Sequence, residues 1–220
     1  MKQNSSILTL SVFFFAAYLL LPLAAAQAFS LSDLSSTAES AQSAAEGTSL
    51  LSRAKDVYSG FSDCTENLVS AQTATMSLVN PDSTSGLTSK LGSIESESGI
   101  TKLIKMVAFS ESMDSTTTSS SLSDKLTGIL TNPESLTKAK EAYTHASSAY
   151  TSGNSSVSEA KTLYTEIKEF ISSPSSKGLS ESLLSGLSDY SDKILPFIIE
   201  NGPARVKTAA SIADTLKGFF

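Results

Sequence analysis

Apolar residues recur at intervals of three and four along most of this chain, which is the spacing of one face of an α-helix. The first such series runs over residues 31–79 and stops before Asn80-Pro81. Further series follow at 87–108, 122–130 and 133–219. No stretch alternates β-branched and polar residues between turn signals, as a strand would. The pattern predicts an all-α fold, either a multi-helix bundle or an elongated array of antiparallel helical hairpins.

Glycine and proline predict where these helices are interrupted. We expect a kink or short break beside Gly47 and another near Gly99. Gly153-Asn154 is expected to close one helix, and Gly202-Pro203 to begin the last one. Pro196, inside an apolar series, predicts a bend that opens a gap between packed helices.

One nine-residue pattern occurs three times, at 51–59, 136–144 and 157–165. Each copy contains Ala-Lys, with Tyr three residues after the Lys. The aliphatic residue, the Ala and the Tyr of a copy share one helical face, so we expect Ala and Tyr in the core and Lys in solvent. The second and third copies start 21 residues apart, which favours two related helices of an array.

Residues 1–28 have the features of a secretory signal peptide. Lys2 precedes an apolar run at 7–23, and Ala26-Gln27-Ala28 is a small-x-small cleavage site that would leave Phe29 as the first mature residue. The alternative is an uncleaved membrane anchor, although Pro22 and the cleavage site argue against it. No second apolar run is long enough to span a membrane, so none is expected after cleavage. These features predict a secreted, periplasmic or extracellular protein.

The mature chain is expected to divide at a hydroxyl-rich stretch. The division gives an N-terminal long-helix hairpin at 29–113, a Ser/Thr-rich linker at 114–121 and a C-terminal helical bundle at 122–220. The alternative is one continuous domain over 29–220.

The charge balance argues against nucleic acid as a partner. The chain has 16 basic and 22 acidic residues and a net charge of −6, and no block rich in Lys or Arg. Charged residues make up only 17% of the chain, and serine and threonine supply much of the remaining polarity.

Residues suited to catalysis are scarce, so the sequence predicts neither an enzyme nor a cofactor. His145 and Cys64 are the only histidine and the only cysteine, which excludes the usual zinc sites and an internal disulfide. Cys64, placed beside the apolar stripe, is expected to be a partly buried inert thiol; the alternative is an intermolecular disulfide. Asn154-Ser155-Ser156 is a glycosylation sequon, expected in an inter-helix turn and meaningful in a eukaryotic source.

The C-terminal part carries the densest apolar content of the mature chain. Around Pro196 the helix is apolar on all sides, which indicates either full burial or contact with an apolar ligand or partner. The residues predicted to form such a surface are Leu195, Phe197, Ile198, Ile199, Phe219 and Phe220. We therefore expect a non-catalytic helical interaction or structural protein that associates with itself or with another protein. The alternative is a carrier or surface binder of apolar, lipid-like ligands.

Overall fold

A computed structural model describes the backbone from Leu31 to Phe220 and the side chains from Glu39 onward. The signal peptide predicted at 1–28 lies outside these residues. The structure is 90% helical and contains no strand between Leu31 and Phe220, which confirms the all-α prediction. Glu39–Phe220 forms one compact unit.

Seven α-helices follow one another along this part of the chain. Their bounds are α1 Leu31–Val79, α2 Thr84–Glu95, α3 Gly99–Thr117, α4 Leu122–Ile129, α5 Pro133–Ser172, α6 Glu181–Asp189 and α7 Leu195–Lys217. A π-helical segment, Tyr190–Ile194, joins α6 to α7 without a break, and short 3₁₀ turns occupy Pro81–Ser83 and Pro174–Ser176.

Three long helical stretches pack side by side: α1, α5 and the combined α6–α7. Arg53 of α1 binds both Glu159 and Glu166 of α5, while Asn67 lies 2.9 Å from Nδ1 of His145. Residues further along α1 contact residues earlier in α5, so these helices are antiparallel. Helix α7 runs antiparallel to α5 as well.

The core follows a seven-residue repeat on each long helix. On α1 it is formed by Ser43, Gly47, Leu50, Ala54, Val57, Phe61, Cys64, Leu68, Ala71, Thr75 and Leu78. On α5 it is formed by Ala139, Ala142, Ala146, Ala149, Gly153, Ser156, Ala160, Leu163, Ile167 and Phe170. Alternating steps of three and four over so many turns are typical of helices that pack along their whole length.

In the threefold Ala-Lys-x-x-Tyr pattern, the alanines face the core and the lysines face solvent, as predicted. Ala54, Ala139 and Ala160 are fully buried, and the lysine after each is exposed. The tyrosines are less buried than predicted. The interpretation of copies two and three as separate helices is wrong, because both lie on α5, three heptads apart.

Two glycines predicted to interrupt helices instead allow close packing. A Cβ at Gly153 would lie 2.5 Å from the Cys64 Sγ atom and 2.8 Å from Val206, so α5 continues through Gly153-Asn154. A Cβ at Gly47 would lie 3.0 Å from Phe170, and α1 is likewise continuous. Contact between neighbouring helices outweighs the low helix propensity of glycine here.

The predicted new helix at Gly202-Pro203 is also wrong, since α7 runs through both residues. Gly202 is buried where α7 meets Val157. Pro203 is exposed, and its missing N–H group removes one backbone hydrogen bond from α7. The irregularity lies earlier, at the π segment before Pro196. Core positions Leu187, Ser191 and Leu195 are spaced by four and four, one residue more than the repeat requires, and a π turn absorbs such an extra residue.

Other breaks fall where the sequence predicts them. Helix α1 ends at Val79, and Gly99 begins α3 with φ of +57°, a left-handed conformation that favours glycine. The predicted linker at 114–121 is partly helical, since α3 continues to Thr117. Its role as a domain boundary stays a prediction.

The hairpin of α2 and α3 packs against the upper half of α1. It buries a second, smaller apolar cluster formed by Val69, Met76, Ile94, Met106, Phe109 and Met113. Helix α3 runs parallel to α1, with Lys102 bonded to Glu66 and Gln72 to Ser110.

Candidate functional site

The exposed apolar side chains are concentrated between α5 and α7. The described chain has four large exposed apolar residues, namely Ile104, Tyr150, Tyr164 and Phe220, and only Ile104 lies elsewhere. Because isolated exposed apolar residues are normal on a protein surface, it is their alignment that identifies a candidate site.

Both helices contribute a second apolar row to this site, beside the row that faces the core. On α5 it is Tyr143, Tyr150, Val157, Tyr164 and Ile171, and on α7 and the C-terminus it is Ile199, Val206, Ala213 and Phe220. Each row has a period of seven. We call these two rows together the α5–α7 seam.

Two contacts show that α5 and α7 meet along the seam. The rings of Tyr143 and Phe220 pack edge to face with centroids 5.8 Å apart. At the centre, Gly202 lies so close to Val157 that a Cβ on the glycine would be 2.2 Å from a valine methyl group. The seam is therefore closed at its middle, and its aromatic residues protrude above and below that point.

A recess of about 370 Å³ opens at the lower end of the seam. It is lined by Lys161, Tyr164, Pro196, Ile199 and Glu200. It lies one turn beyond the π segment, where the sequence predicted a gap beside Pro196. Pro196 has no N–H group, so it gives no hydrogen bond to the carbonyl of Asp192 one turn earlier. A recess of this size holds one large side chain or a small ligand.

A row of lysines borders the seam on α5. The positions next to the apolar row, again seven apart, are Lys140, Ser147, Asn154, Lys161 and Lys168. The Lys140 Nζ atom lies 5.7 Å from the ring centroid of Phe220, and that of Lys168 lies 6.0 Å from the ring of Tyr164. No position of this row carries a carboxylate, although the whole chain is acidic.

The charges of these lysines are not equally available. Lys168 bonds to Asp192 at 2.5 Å, and this hydrogen bond raises the pKa of Lys168 and lowers that of Asp192. Lys140 and Lys161 have no carboxylate partner within Glu39–Phe220. An incoming anion would therefore find both ammonium groups without an ion-pair partner, although Glu200 lines the same recess as Lys161.

Of the residues predicted to form an apolar surface, two lie in the core, two on the seam and two in neither. Leu195 and Ile198 are fully buried, so much of the all-round apolar character of this helix serves the core. Phe197, Ile199 and Phe219 are half-buried, and Phe220 is 50% exposed. Sequence reasoning missed Tyr150 and Tyr164, although their spacing of fourteen residues on one helix was a usable signal.

Asn154, the predicted glycosylation site, is exposed and lies in the lysine row. It lies within the continuous helix α5 and not in a turn, which corrects its predicted setting. A glycan at Asn154 would project beside the middle of the seam. Glycosylation there stays a prediction.

Cys64 is fully buried between α1, α5 and α7, so its placement beside the apolar stripe is wrong. Burial raises the pKa of its thiol to about 12, against a smaller opposing effect of Arg205. A thiol that is neutral and enclosed reacts poorly with oxidants and disulfides. The predicted intermolecular disulfide would require the helices to separate.

A buried polar network joins α1, α3 and α7, and no sequence pattern predicted it. Arg205, only 3% exposed, forms a two-pronged ion pair with Asp114, at 3.1 and 2.6 Å, and donates to the Ser110 hydroxyl at 3.0 Å. Gln72 donates to Asp114 at 2.9 Å and accepts from Ser110 at 2.7 Å. Such a network fixes which residues of three helices lie opposite one another.

A larger open groove of about 610 Å³ lies between the lower parts of α1 and α5. Its lining includes Glu46, Arg53, Glu166 and Glu169. Arg53 is held there by Glu159 and Glu166, whose hydrogen bonds raise its pKa. This cluster is half-exposed, and its ion pairs link α1 to α5.

Two further findings bear on function. No group of three or more His, Cys, Asp or Glu side chains gathers into a metal site in the part of the chain that the structure describes. Among the same residues, no helix is both long enough and apolar enough to cross a bilayer. Comparison with protein families, with curated proteins and with solved structures gives no significant match.

Proposed function

We propose that this chain is a non-catalytic α-helical interaction protein that acts outside the cytoplasm. Its helices α1, α5 and α7 form a bundle, and its partner is another protein or another copy of the chain. Residues 1–28 act as its signal peptide, which directs it to the periplasm or the extracellular space.

The observation that carries this proposal is the α5–α7 seam. Tyr150, Tyr164 and Phe220 remain exposed although each belongs to an apolar row of period seven. Tyrosine and phenylalanine are enriched where proteins meet partners, because each supplies a large apolar contact area at low entropic cost. These three exposed side chains lie outside the fully buried core, although Val157 of the same rows belongs to it.

Light scattering on the mature protein, purified from its native source, tests this proposal. The expected result is a complex larger than the monomer, which Tyr164→Glu reduces to monomer while leaving the helical circular dichroism unchanged. A complex that Tyr164→Glu leaves unchanged would contradict the role of the seam, whereas a monomer in both samples would exclude only a second copy as the partner. Ile104→Glu is the matched control, because Ile104 is similarly exposed but lies on α3.

A second candidate function, binding of an apolar, lipid-like ligand, is favoured by the recess. Its volume falls within the range of small-molecule sites, and Tyr164, Pro196 and Ile199 supply an apolar lining. A fluorescent fatty-acid probe tests this function. Probe binding that is lost in Ile199→Asp, with folding intact, would support it, whereas the absence of binding to the folded protein would remove it.

A further inference from the structure

The period of the seam carries information about what covers it. Side chains spaced seven residues apart on two adjacent helices match the spacing of the apolar side chains on a third helix packed along them. Binding of a lipid tail or a disordered peptide does not require side chains at a regular seven-residue spacing. The seam rows keep this period from Tyr143 to Ile171 and from Ile199 to Phe220.

The shape of the seam fits a helix in the same way. Tyr150 and Phe220 protrude above the closed centre at Val157, and Tyr164 protrudes below it beside the recess. A helix laid along α5 and α7 would place its own apolar residues between these aromatic rings and one residue into the recess. From Tyr143 to Tyr164 the seam is about 30 Å long, the length of a helix of about 20 residues.

The lysine row specifies the charge of the incoming helix. Lys140 and Lys161, which lack carboxylate partners within the described chain, lie on the α5 border of the seam, with Lys168 beyond them. A helix in the seam would present its α5-side flank to these groups. Acidic residues on that flank would be attracted, and basic residues repelled.

The same charges disfavour a second copy of this chain as the occupant. Two seams packed antiparallel about a two-fold axis would bring one lysine row against the other. Like charges facing each other across an interface oppose association. The occupant is better matched by a different protein.

We infer that the α5–α7 seam docks an amphipathic α-helix of another protein, with an apolar stripe of period seven and an acidic flank facing Lys140 and Lys161. This inference rests on the proposed interaction function and names the chemistry of the partner. The mode is a helix packed into a groove between two helices.

Two synthetic peptides provide the test, each of about four heptads so that it covers the seam. They share one apolar stripe and differ only in carrying Glu or Lys on the flank. Fluorescence anisotropy with the mature protein should show at least about tenfold tighter binding of the Glu peptide, with a strong dependence on salt. Lys161→Glu should reduce or reverse that preference.

Seam variants locate the binding. Tyr164→Ser should weaken binding of the Glu peptide by about tenfold or more, the loss expected for an aromatic residue at an interface centre. Ile104→Ser, off the seam, should leave binding within about twofold. Circular dichroism and thermal melts of each variant establish that the fold is intact.

Several results would overturn the inference. Equal binding of the two peptides, or undiminished binding by Tyr164→Ser, would exclude a helix with an acidic flank at the seam. If neither peptide binds but light scattering shows a dimer that Tyr164→Ser dissociates, the occupant is a second copy and the proposed interaction function survives. If instead Tyr164→Ser abolishes binding to phosphatidylglycerol vesicles and neither peptide binds, the seam serves lipid and the helix inference fails.

Discussion

The two apolar faces of α5 differ in side-chain size and in what covers them. The inner face is built mainly from Ala139, Ala142, Ala146, Ala149 and Ala160, all fully buried. The outer face carries tyrosines at three of its five positions, and two of them are exposed. Small side chains bring backbones together, whereas large exposed aromatic ones present contact area to something outside the unit.

We expect this difference to separate stability from binding along one helix. Changes on the inner face alter packing that is already complete, and overpacking such a site costs free energy. Changes at Tyr150 and Tyr164 of the outer face remove atoms that solvent already reaches, whereas Val157 of the same row is buried. The largest loss of stability is expected from a change in the interior polar network around Arg205.

Asp114→Ala should destabilise the fold by about 3–5 kcal/mol, because it leaves the guanidinium of Arg205 buried without its carboxylate. Denaturant unfolding gives the value. Combining Asp114→Ala with Arg205→Met should recover part of the loss, since the unpaired charge is then absent. Glu111→Ala is the control: Glu111 is half-exposed and 3.8 Å from Arg205, so a loss above about 0.5 kcal/mol is not expected.

Adjacent residues on α5 provide a smaller and closely matched contrast. Ala160→Leu should cost about 1–3 kcal/mol through overpacking of the inner face. Lys161→Gln, one residue later and exposed, should change the free energy of unfolding by less than about 0.5 kcal/mol. The opposite ranking in thermal melts would mean that the core-facing side of α5 is misassigned.

Much of this inner face follows from the sequence, and the reasons for the exceptions are physical. Ala139 and Ala160 follow from the helical spacing of the repeated pattern, and the end of α1 follows from Asn80-Pro81. Ala142 and Ala149 were not predicted. The continuity of α5 through Gly153 does not, because it depends on how closely Cys64 and Val206 approach from other helices. The partnership of Arg205 with Asp114, 91 residues apart, is equally invisible to local patterns.

The seam could be predicted from the sequence only in part. The sequence predicted an apolar surface near Pro196 and named Ile199 and Phe220, which do lie on the seam. It also named Leu195 and Ile198, which are buried, because an all-round apolar helix does not reveal which side meets its neighbours. Tyr164 was treated as a core residue of the repeat and Tyr150 was not singled out, although both lie on the row beside the core.

Cys64 of α1, which packs against the inner face of α5 at Gly153, predicts a pH dependence of stability. Its pKa is raised in the fold from 9.0 to about 12, so the unfolded chain loses this proton first as pH rises. Between those values the contribution to stability falls by about 1.4 kcal/mol per pH unit. The free energy of unfolding should therefore fall more between pH 8 and pH 10 in the wild type than in Cys64→Ala. Parallel pH profiles would show that the thiol is reached by water.

The most direct test of the division between the two faces is the free energy of unfolding of the double variant Tyr150→Ser/Tyr164→Ser. Both side chains are exposed on the seam, so the double variant should lie within about 1 kcal/mol of the wild type in denaturant unfolding. It should at the same time have lost binding of the Glu peptide. A loss of several kcal/mol would contradict the account, because it would make the seam part of the core that folding requires and not a face kept for a partner.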